Sequence, residues 1–440
     1  MTRMTGMVNR QENAMNQKVL LITPAMPQSK YSIFRQSETE CTDAEVWMAV
    51  LKQYGYSVSY YDGQFSTETI EEELQQKDPA FVVVFGKLCQ ETAMLECCVK
   101  AKKQDPSIVT VIAGEHAQLA YRRMYQDGVD YILNGYDPVS LIYVLGGSTG
   151  RWQPNGICHK VDGVWQQIPA KPYDIRKLPH ADRTVFDANR DRYRFLGLAH
   201  TASVRTAFGC PHRCTFCSVP YLNKGIVSRR DIVDIVQEIV SLQTDNIYIT
   251  DDDFMTDEER VREFLAAVKE AGLHKQYVCH DRPDFIASHA ELIREMKEAG
   301  FAYILSGLEY ISDSMLAAYG KGFTAGVNEE CIRVCKDAGI RLAASFIVGP
   351  DYRAMDFRDL LRYITDHDLK YADISILTPE PGTPLYEQYK ERRMTEDASQ
   401  YDRCHLTVRP MHMPAPVWEM LYSMLSRRLA QRAKKSGIIV

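Results

Sequence analysis

The sequence predicts an α/β chain in two units: a doubly wound parallel sheet of five strands, then a partial barrel of six βα units, with a helical segment after it. Two observations predict this. Short apolar strands alternate with helical stretches over 18–145, and the same rhythm resumes after Ala202. Between them, Gly146, Gly147, Gly150, Pro154, Gly156, Gly163, Pro169, Pro172 and Pro179 punctuate a stretch of different character. The expected boundaries are a leader over 1–17, the sheet unit over 18–145, a connector over 146–196, the barrel over 197–390 and a helical extension over 391–440.

In the sheet unit, Lys18–Thr23 reads as the first strand, Asp43–Tyr54 as a helix and Ser57–Tyr61 as the second strand. Thr67–Gln76 is helical, Phe81–Phe85 is a buried strand before Gly86, and Glu91–Lys103 is helical. Ile108–Ala113 leads into Gly114, and Tyr131–Leu133 is the last strand. Ligands of such sheets sit at the carboxyl ends of the strands. That rule selects the loop Pro24–Cys41 and the turns Gly86–Gln90 and Gly114–His116. The connector carries a probable hairpin, His159–Ile168, around Asp162-Gly163.

In the barrel unit, Val204–Phe208 is the first strand and Ser228 caps a helix over Arg229–Leu242. Further strands are read at Ile247–Thr250, Tyr277–His280, Tyr303–Ser306, Leu342–Val348 and Asp373–Leu377. Helices fill the gaps at Glu258–Ala271, His289–Ala299, Asn328–Ala338 and Asp356–His367. Active sites of βα barrels lie at the C-terminal strand ends. The last stretch, Trp418–Lys435, is an amphipathic helix with a basic end; the Met- and aromatic-bearing run from His412 through Tyr422 either lines an apolar pocket or packs.

The composition excludes several classes. A net charge of −6 gives no electrostatic case for a nucleic-acid binder. No run of eighteen apolar residues exists, so no membrane helix is expected. Residues 1–17 are polar and lack the apolar core of a signal peptide. Twelve cysteines without a secretory signal point to a reducing cytoplasm.

Three of those cysteines carry the chemistry. Cys210, Cys214 and Cys217 stand in Ala207-Phe-Gly-Cys-Pro-His-Arg-Cys-Thr-Phe-Cys217, a C-x3-C-x2-C spacing. Three thiolates can hold three irons of a [4Fe–4S] cube and leave the fourth open, whereas ordinary ferredoxin clusters use four cysteines. A structural zinc site wants four ligands, and His212, inside the loop, reads as poorly placed to complete one.

The run resembles the signature of the radical S-adenosylmethionine superfamily, and the resemblance extends from about Lys18 to Leu429. It implies that the open iron is chelated by S-adenosylmethionine, which one electron cleaves to a 5′-deoxyadenosyl radical. It also implies a flavodoxin- or ferredoxin-type electron donor and a small-molecule substrate. By the same resemblance, Phe216 shields the cluster, and Asp251, Asp252 and Asp253 lie near the methionine ammonium. Arg282 pairs with the methionine carboxylate, Glu309 meets polar groups of the ligand or substrate, and Ser345 and Gly349 belong to the stretch that packs on adenine. Tyr303 and Tyr310, near predicted strand ends, are candidates for quenching or relaying a radical.

The leading sheet, Leu178-Pro179, Lys321-Gly322, Pro379–Pro384 and His405–Pro410 resemble the cobalamin-binding subfamily. This implies a B12-binding, flavodoxin-like sheet unit, with the cofactor's tail near Gly86 and Gly114. The sequence departs from that pattern in two places. Gly114-Glu115-His116 replaces the usual Gly-Gly pair, and Asn134-Gly-Tyr-Asp137 replaces G-E-G-E. No D-x-H-x-x-G motif occurs. Two enzyme readings therefore stand: cobalamin-dependent C-methylation or rearrangement, and cobalamin-independent dehydration, epimerisation or rearrangement with a degenerate sheet unit. A non-catalytic cobalamin or redox sensor is the reading from another class.

Overall fold

The computed structural model describes residues 17–27, 38–146 and 153–436. The expected leader, most of the Pro24–Cys41 loop, and Gly147 and Gly150 lie outside these residues. The first sheet contains β1 (Lys18–Thr23), β2 (Ser57–Asp62), β3 (Phe81–Phe85), β4 (Val109–Ala113) and β5 (Tyr131–Leu133), in the order β2-β1-β3-β4-β5 and all parallel. Every residue of β3 is buried, as a central parallel strand requires. On one face pack α1 (Thr42–Gln53), with Trp47 and Leu51, and the helix Val139–Val144. On the other lie α2 (Ile70–Lys77), α3 (Glu91–Gln104) and α4 (Glu115–Ala120), with Leu74, Met94 and Ala117. Thr69 and Glu72 start α2 with a reciprocal capping box.

The connector is more than a tether. Its hairpin, β6 (Ile157–Val161) and β7 (Val164–Ile168), joins the sheet antiparallel to β5, making seven strands where five were expected. A two-residue hairpin carries no long-range signal in its own sequence, so its partner could not be read.

The barrel strands are β8 (Thr201–Val204), β9 (Asn246–Ile249), β10 (Gln276–Asp281), β11 (Phe301–Glu309), β12 (Arg341–Val348) and β13 (Tyr371–Ile376). They are parallel and adjacent in chain order. The first strand ends four residues earlier than expected. The Asp251 carboxylate accepts the Thr206 and Ala207 amides at 2.7 and 2.9 Å, and also the Thr206 hydroxyl, which turns the chain aside. Ala207–Phe208 then pairs with Ser228–Arg229, so Ser228 lies in a ribbon rather than at a helix cap; the helix is α5 (Ile232–Ser241).

The lower lumen is plugged. Phe195 and Leu198, from the ribbon Arg194–Ala199, pack with Val278, Tyr303 and Ala343, and Phe195 stacks on Tyr248 at 3.9 Å. This packing fills the barrel away from the C-terminal strand ends. The last helix, α6 (Ala415–Lys435), packs behind β12 and β13: the Trp418 indole donates to the Gly349 carbonyl at 3.2 Å, and the Tyr422 hydroxyl to that of Ile374 at 2.9 Å. Trp418 and Tyr422 are thus outer core. No helix among the described residues is long and apolar enough to cross a membrane.

Ion pairs stitch sheet to barrel. Arg183 of the connector donates to Glu238 of α5 at 2.6 Å and to the Ser203 carbonyl of β8 at 2.6 Å, and approaches Glu45 of α1 at 3.7 Å. Glu40 accepts the Ser203 amide at 2.5 Å and pairs with Arg190. Arg205 reaches back to Asp43 at 2.7 Å and Thr42 at 3.0 Å. Burial, and then the Glu40 charge, push the Glu45 carboxyl well above the usual range, so the folded chain holds a proton that the unfolded chain releases above about pH 4.3. This contribution is complete below the unfolded value and is lost as pH rises through the folded one. Glu45→Gln should therefore flatten the decline in urea midpoint between pH 5 and pH 9, relative to the parent; parallel slopes would count against it.

Candidate active site

The barrel mouth gathers charged groups from successive strand ends. The chain enters the cysteine loop through Gly209, whose φ of +92° is left-handed; a Cβ there would also come within 3.3 Å of the Ile226 carbonyl. Tyr319 fastens the loop by accepting the Thr215 amide at 3.2 Å, and its ring lies 6.2 Å from Phe216.

None of the three thiols is in a disulfide, and all are half-buried. The Cys210 sulfur lies 3.7 Å from Asp253. Cys214 accepts from the Arg282 guanidinium at 3.5 Å. Burial pushes the Cys210 and Cys217 thiols up to about 12, and the Arg403 cation acts against this at Cys217. Bound iron would deprotonate such thiols outright.

Asp253 is buried, which raises its carboxyl, but hydrogen bonds from His212, 3.3 Å away, and from Asp281 bring it below the ordinary value. Asp281 moves far upward through burial and the Asp253 charge. The two directions oppose each other because neighbouring like charges disfavour joint ionisation, Asp281 being the carboxyl on which a proton is favoured. His212 differs from the expectation. Its ring nitrogen, the Cys210 sulfur and an Asp253 oxygen lie within 4.8 Å of one another. The β9 loop folds over the cysteine loop to bring them together, a tertiary contact with no local signal.

Asp251 is wholly occupied with the Thr206–Ala207 backbone, so it shapes the site without facing it. Asp252 accepts the Gly209 amide at 3.2 Å and keeps an open face, yet burial pushes it up to about 6. Arg403 has the same double character: 64% of its side chain is open, although surrounding protein desolvates its charge. Both groups stand where the surface is concave, open to solvent yet crowded by protein. Glu115, on the facing edge of the sheet, is pushed up to about 7 by burial and then by the charges of Asp43 and Asp252. Asp252 acts on Glu115, and Arg403 on Cys217, so the carboxyl edge of the sheet faces the barrel mouth.

Arg282 uses its donors on Asp284 at 2.9 and 3.0 Å, the Lys321 carbonyl at 2.7 Å and the Cys214 sulfur. It braces the cysteine loop rather than standing free for a carboxylate. Glu309 sits at the tip of β11 with a left-handed φ of +61° and accepts from Lys321 at 3.2 Å. Its carboxylate folds over residue 307, where any Cβ would lie 2.3 Å from the oxygen and displace it, so glycine there lets Glu309 keep this pose. Ser345 donates to Asp373 at 3.3 Å. Gly349 has no backbone need of its own: a Cβ there would meet nothing nearer than 3.8 Å.

Two expected residues are not brought to the mouth. Tyr303 sits near the start of β11, six residues from Glu309 and about 20 Å along an extended strand. It faces the lower lumen, and Arg341 donates to its hydroxyl at 2.7 Å. Tyr310 is buried in the outer core and stacks on Tyr319 at 5.0 Å. Period-two alternation decides which side of the wall a barrel residue faces, and Tyr310 falls just past the bend at Glu309. At the sheet edge, Gly86 is held by packing, since a Cβ would strike the Met94 sulfur at 2.6 Å. Gly114 is left-handed at φ +96°, with only ordinary contacts around it.

Sequence reasoning missed Asp373, the His280–Tyr248 pair at 2.7 Å, and Arg403 with Glu380 at 2.9 Å. Burial lowers His280 to about 4, keeping it neutral. The alternation of Tyr371, Asp373 and Ser375 with buried Ala372, Ile374 and Ile376 could have revealed Asp373. Arg403 comes from the segment after the barrel at a left-handed φ of +63°, with no motif to mark it.

Comparison with known proteins matches residues 204–364 to the radical SAM superfamily and residues 39–142 to the B12 binding domain. Relatives include the hopanoid C-3 methylase of Methylococcus capsulatus, 24% identical over 73% of this chain and 63% of that one. The anaerobic magnesium-protoporphyrin IX monomethyl ester cyclase of Cereibacter sphaeroides is 24% identical over 81% of this chain and 62% of that one. The chain thus spans a little under two thirds of these relatives. The fold is similar to that of OxsB, a cobalamin-dependent S-adenosylmethionine radical enzyme solved with aqua-cobalamin and S-adenosylmethionine, at a TM-score of 0.71 and 14% identity over 95% of this chain and 66% of that one. It is also similar to that of the radical S-adenosylmethionine methyltransferase TsrM from Kitasatospora setae, solved with cobalamin and a [4Fe-4S] cluster, at 0.68 and 16% over 94% of this chain and 91% of that one.

Proposed function

From a chain that belongs to the radical S-adenosylmethionine superfamily, with a B12-binding domain ahead of its barrel, we propose an enzyme that alters an unactivated C–H position of a small molecule. The reaction is cobalamin-dependent C-methylation or a ring or carbon rearrangement, on a substrate of lipid, tetrapyrrole or secondary-metabolite type. One observation carries this reading: three cysteines outside any disulfide lie at the barrel mouth, facing the carboxyl edge of the sheet, where the Asp252 charge acts on Glu115. When bound, the [4Fe–4S] cluster, S-adenosylmethionine and cobalamin supply one-electron cleavage to a 5′-deoxyadenosyl radical and a carrier for a methyl group.

The residues fit those groups. Cys210, Cys214 and Cys217 offer soft sulfur ligands, which select iron–sulfur centres, with the Arg282 cation beside them to offset the added negative charge. Asp252 and Asp253 present carboxylate acceptors to an ammonium. Lys321 holds Glu309 in one orientation, so its remaining oxygen can accept a hydroxyl. Phe216, beneath the Lys321 cation at 5.8 Å, keeps water from the loop. At the sheet edge, Gly114 leaves the backbone accessible, and Glu115, titrating near neutrality, can donate to or accept from the amides of a corrin.

Glu115 also favours a second reading, in which its carboxyl closes the cofactor tail's path and the enzyme works with S-adenosylmethionine alone. Anaerobic reconstitution with iron and sulfide, then hydroxocobalamin, distinguishes the two. The first reading expects a corrin absorption band in the parent and 5′-deoxyadenosine in a single turnover. Corrin binding only by Glu115→Gly selects the second. No 5′-deoxyadenosine under any condition leaves a sensor. The electron source in this proposal is a flavodoxin- or ferredoxin-type carrier.

A further inference from the structure

The segment after Cys217 leads to the surface, where Tyr221 and Lys224 are exposed. Residues Val219–Gly225 form two tight turns in which Asn223 and Lys224 are both left-handed, at φ +45° and +56°. Two such residues in succession are costly unless the surroundings hold them. The buried Asn223 side chain does so: it accepts the Tyr173 amide at 2.7 Å and donates to the Tyr173 and Ile226 carbonyls at 3.1 and 3.0 Å. The turn is thereby clamped to the connector, with Tyr221, Lys224 and Ile226 exposed.

Lys224 and Tyr221 line a narrow surface cleft with Lys171 of the connector. At its base are Asn134, 1% exposed with neither amide atom partnered, and Gln118, whose amide nitrogen is also without a partner. Arg213, between the first two cysteines, lays its guanidinium 3.3 Å from where a Cβ of residue 225 would be, beside Lys224. Among the described residues, Lys171, Arg213 and Lys224 make no ion pair within 4.0 Å, in a chain of net charge −6. Beside them, Tyr221 is 40% and Ile226 52% exposed.

We propose that this surface docks an acidic one-electron carrier protein, the patch being a small apolar centre ringed by unpaired cations next to the cysteine loop. The proposal rests on the function proposed above. Electron transfer weakens steeply with distance, so a carrier must approach the face nearest the iron ligands. Transient redox encounters need only a small interface, and opposite charge steers them. Carboxylates of the partner pair at the rim with Lys171, Arg213 and Lys224, the cations left without an ion pair. In the step itself, one electron leaves the carrier, which is oxidised by one, and reduces the cluster by one. No bond or proton moves.

The test uses the reconstituted protein and its Lys171→Glu/Lys224→Glu variant, with reduced flavodoxin as the carrier and dithionite as a small reductant. Calorimetric Kd for flavodoxin is expected to weaken at least about tenfold in the variant, and in the parent on raising KCl from 50 to 300 mM. 5′-Deoxyadenosine formation driven by dithionite should be unchanged by the substitutions, whereas formation driven by flavodoxin should fall with binding. Equal flavodoxin affinity for parent and variant, or no measurable binding to the parent, overturns the docking surface even where dithionite supports turnover. Failure of the parent to make 5′-deoxyadenosine with dithionite instead overturns the functional reading, and the docking surface with it.

Discussion

Cys210→Ala is expected to leave the purified protein without a [4Fe–4S] cluster after anaerobic reconstitution and to reduce S-adenosylmethionine cleavage to background. Three thiolates already leave one iron without a protein ligand, so the loss of another leaves two. Nor can the neighbours compensate with equivalent chemistry. Asp253 and His212 lie within reach of Cys210, but they offer oxygen and nitrogen, and both already hydrogen-bond each other. The loop fold should survive, because its fastening runs through Thr215 and Tyr319 rather than the thiol. Iron and sulfide content and the near-ultraviolet to visible absorption check the outcome. A normal cluster signal with normal 5′-deoxyadenosine yield would falsify the assignment.

Arg183→Ala should cost about 3–5 kcal/mol of stability, the range for removing one partner of a buried ion pair. Arg183 is 6% exposed and serves three elements at once: Glu238 on α5, the Ser203 carbonyl on β8 and Glu45 on α1. Alanine leaves Glu238 with Arg230 alone, 2.5 Å away, and leaves the Ser203 carbonyl without its side-chain donor. Arg183→Lys should recover only part of the loss, since one ammonium cannot reproduce a guanidinium fork. The measurement is the urea midpoint, together with the rate of proteolysis within 170–196. A shift below about 1 kcal/mol, the surface-pair range, would mean that the seam contributes little.

What the sequence revealed was what it encodes locally. The cysteine spacing and the βα rhythm are short-range facts, and the strands begin and end within a few residues of where the pattern put them, β8 excepted. Groups that depend on distant partners were hidden. Arg282 looked free because Asp284 was its only visible neighbour in sequence, while Cys214 and the Lys321 carbonyl arrive from elsewhere in the fold. Tyr303 looked close to the chemistry because β11 runs to Glu309, three residues beyond the strand end read at Ser306. Arg403 could not be placed at all, since distant contacts hold its segment: Tyr401 and Ala398 pack on Leu88, and the Ile376 amide donates to the Arg403 carbonyl at 2.7 Å.

The hairpin that continues the first sheet determines where the chain can be divided. Ile157 is 1% exposed and belongs to one layer of the sheet's core, while its neighbour Cys158, fully buried, belongs to the other. A fragment ending near residue 145 would lose a side chain from both layers and leave the three-residue strand β5 with a bare row of amides and carbonyls, a template for pairing with another chain. A piece of this half with a claim to independent folding therefore extends at least through Ile168, and Phe186, fully buried in the α1-side layer, comes from further on still. Shuffling in evolution, or excision at the bench, has to move the sheet together with the first part of what joins it to the barrel.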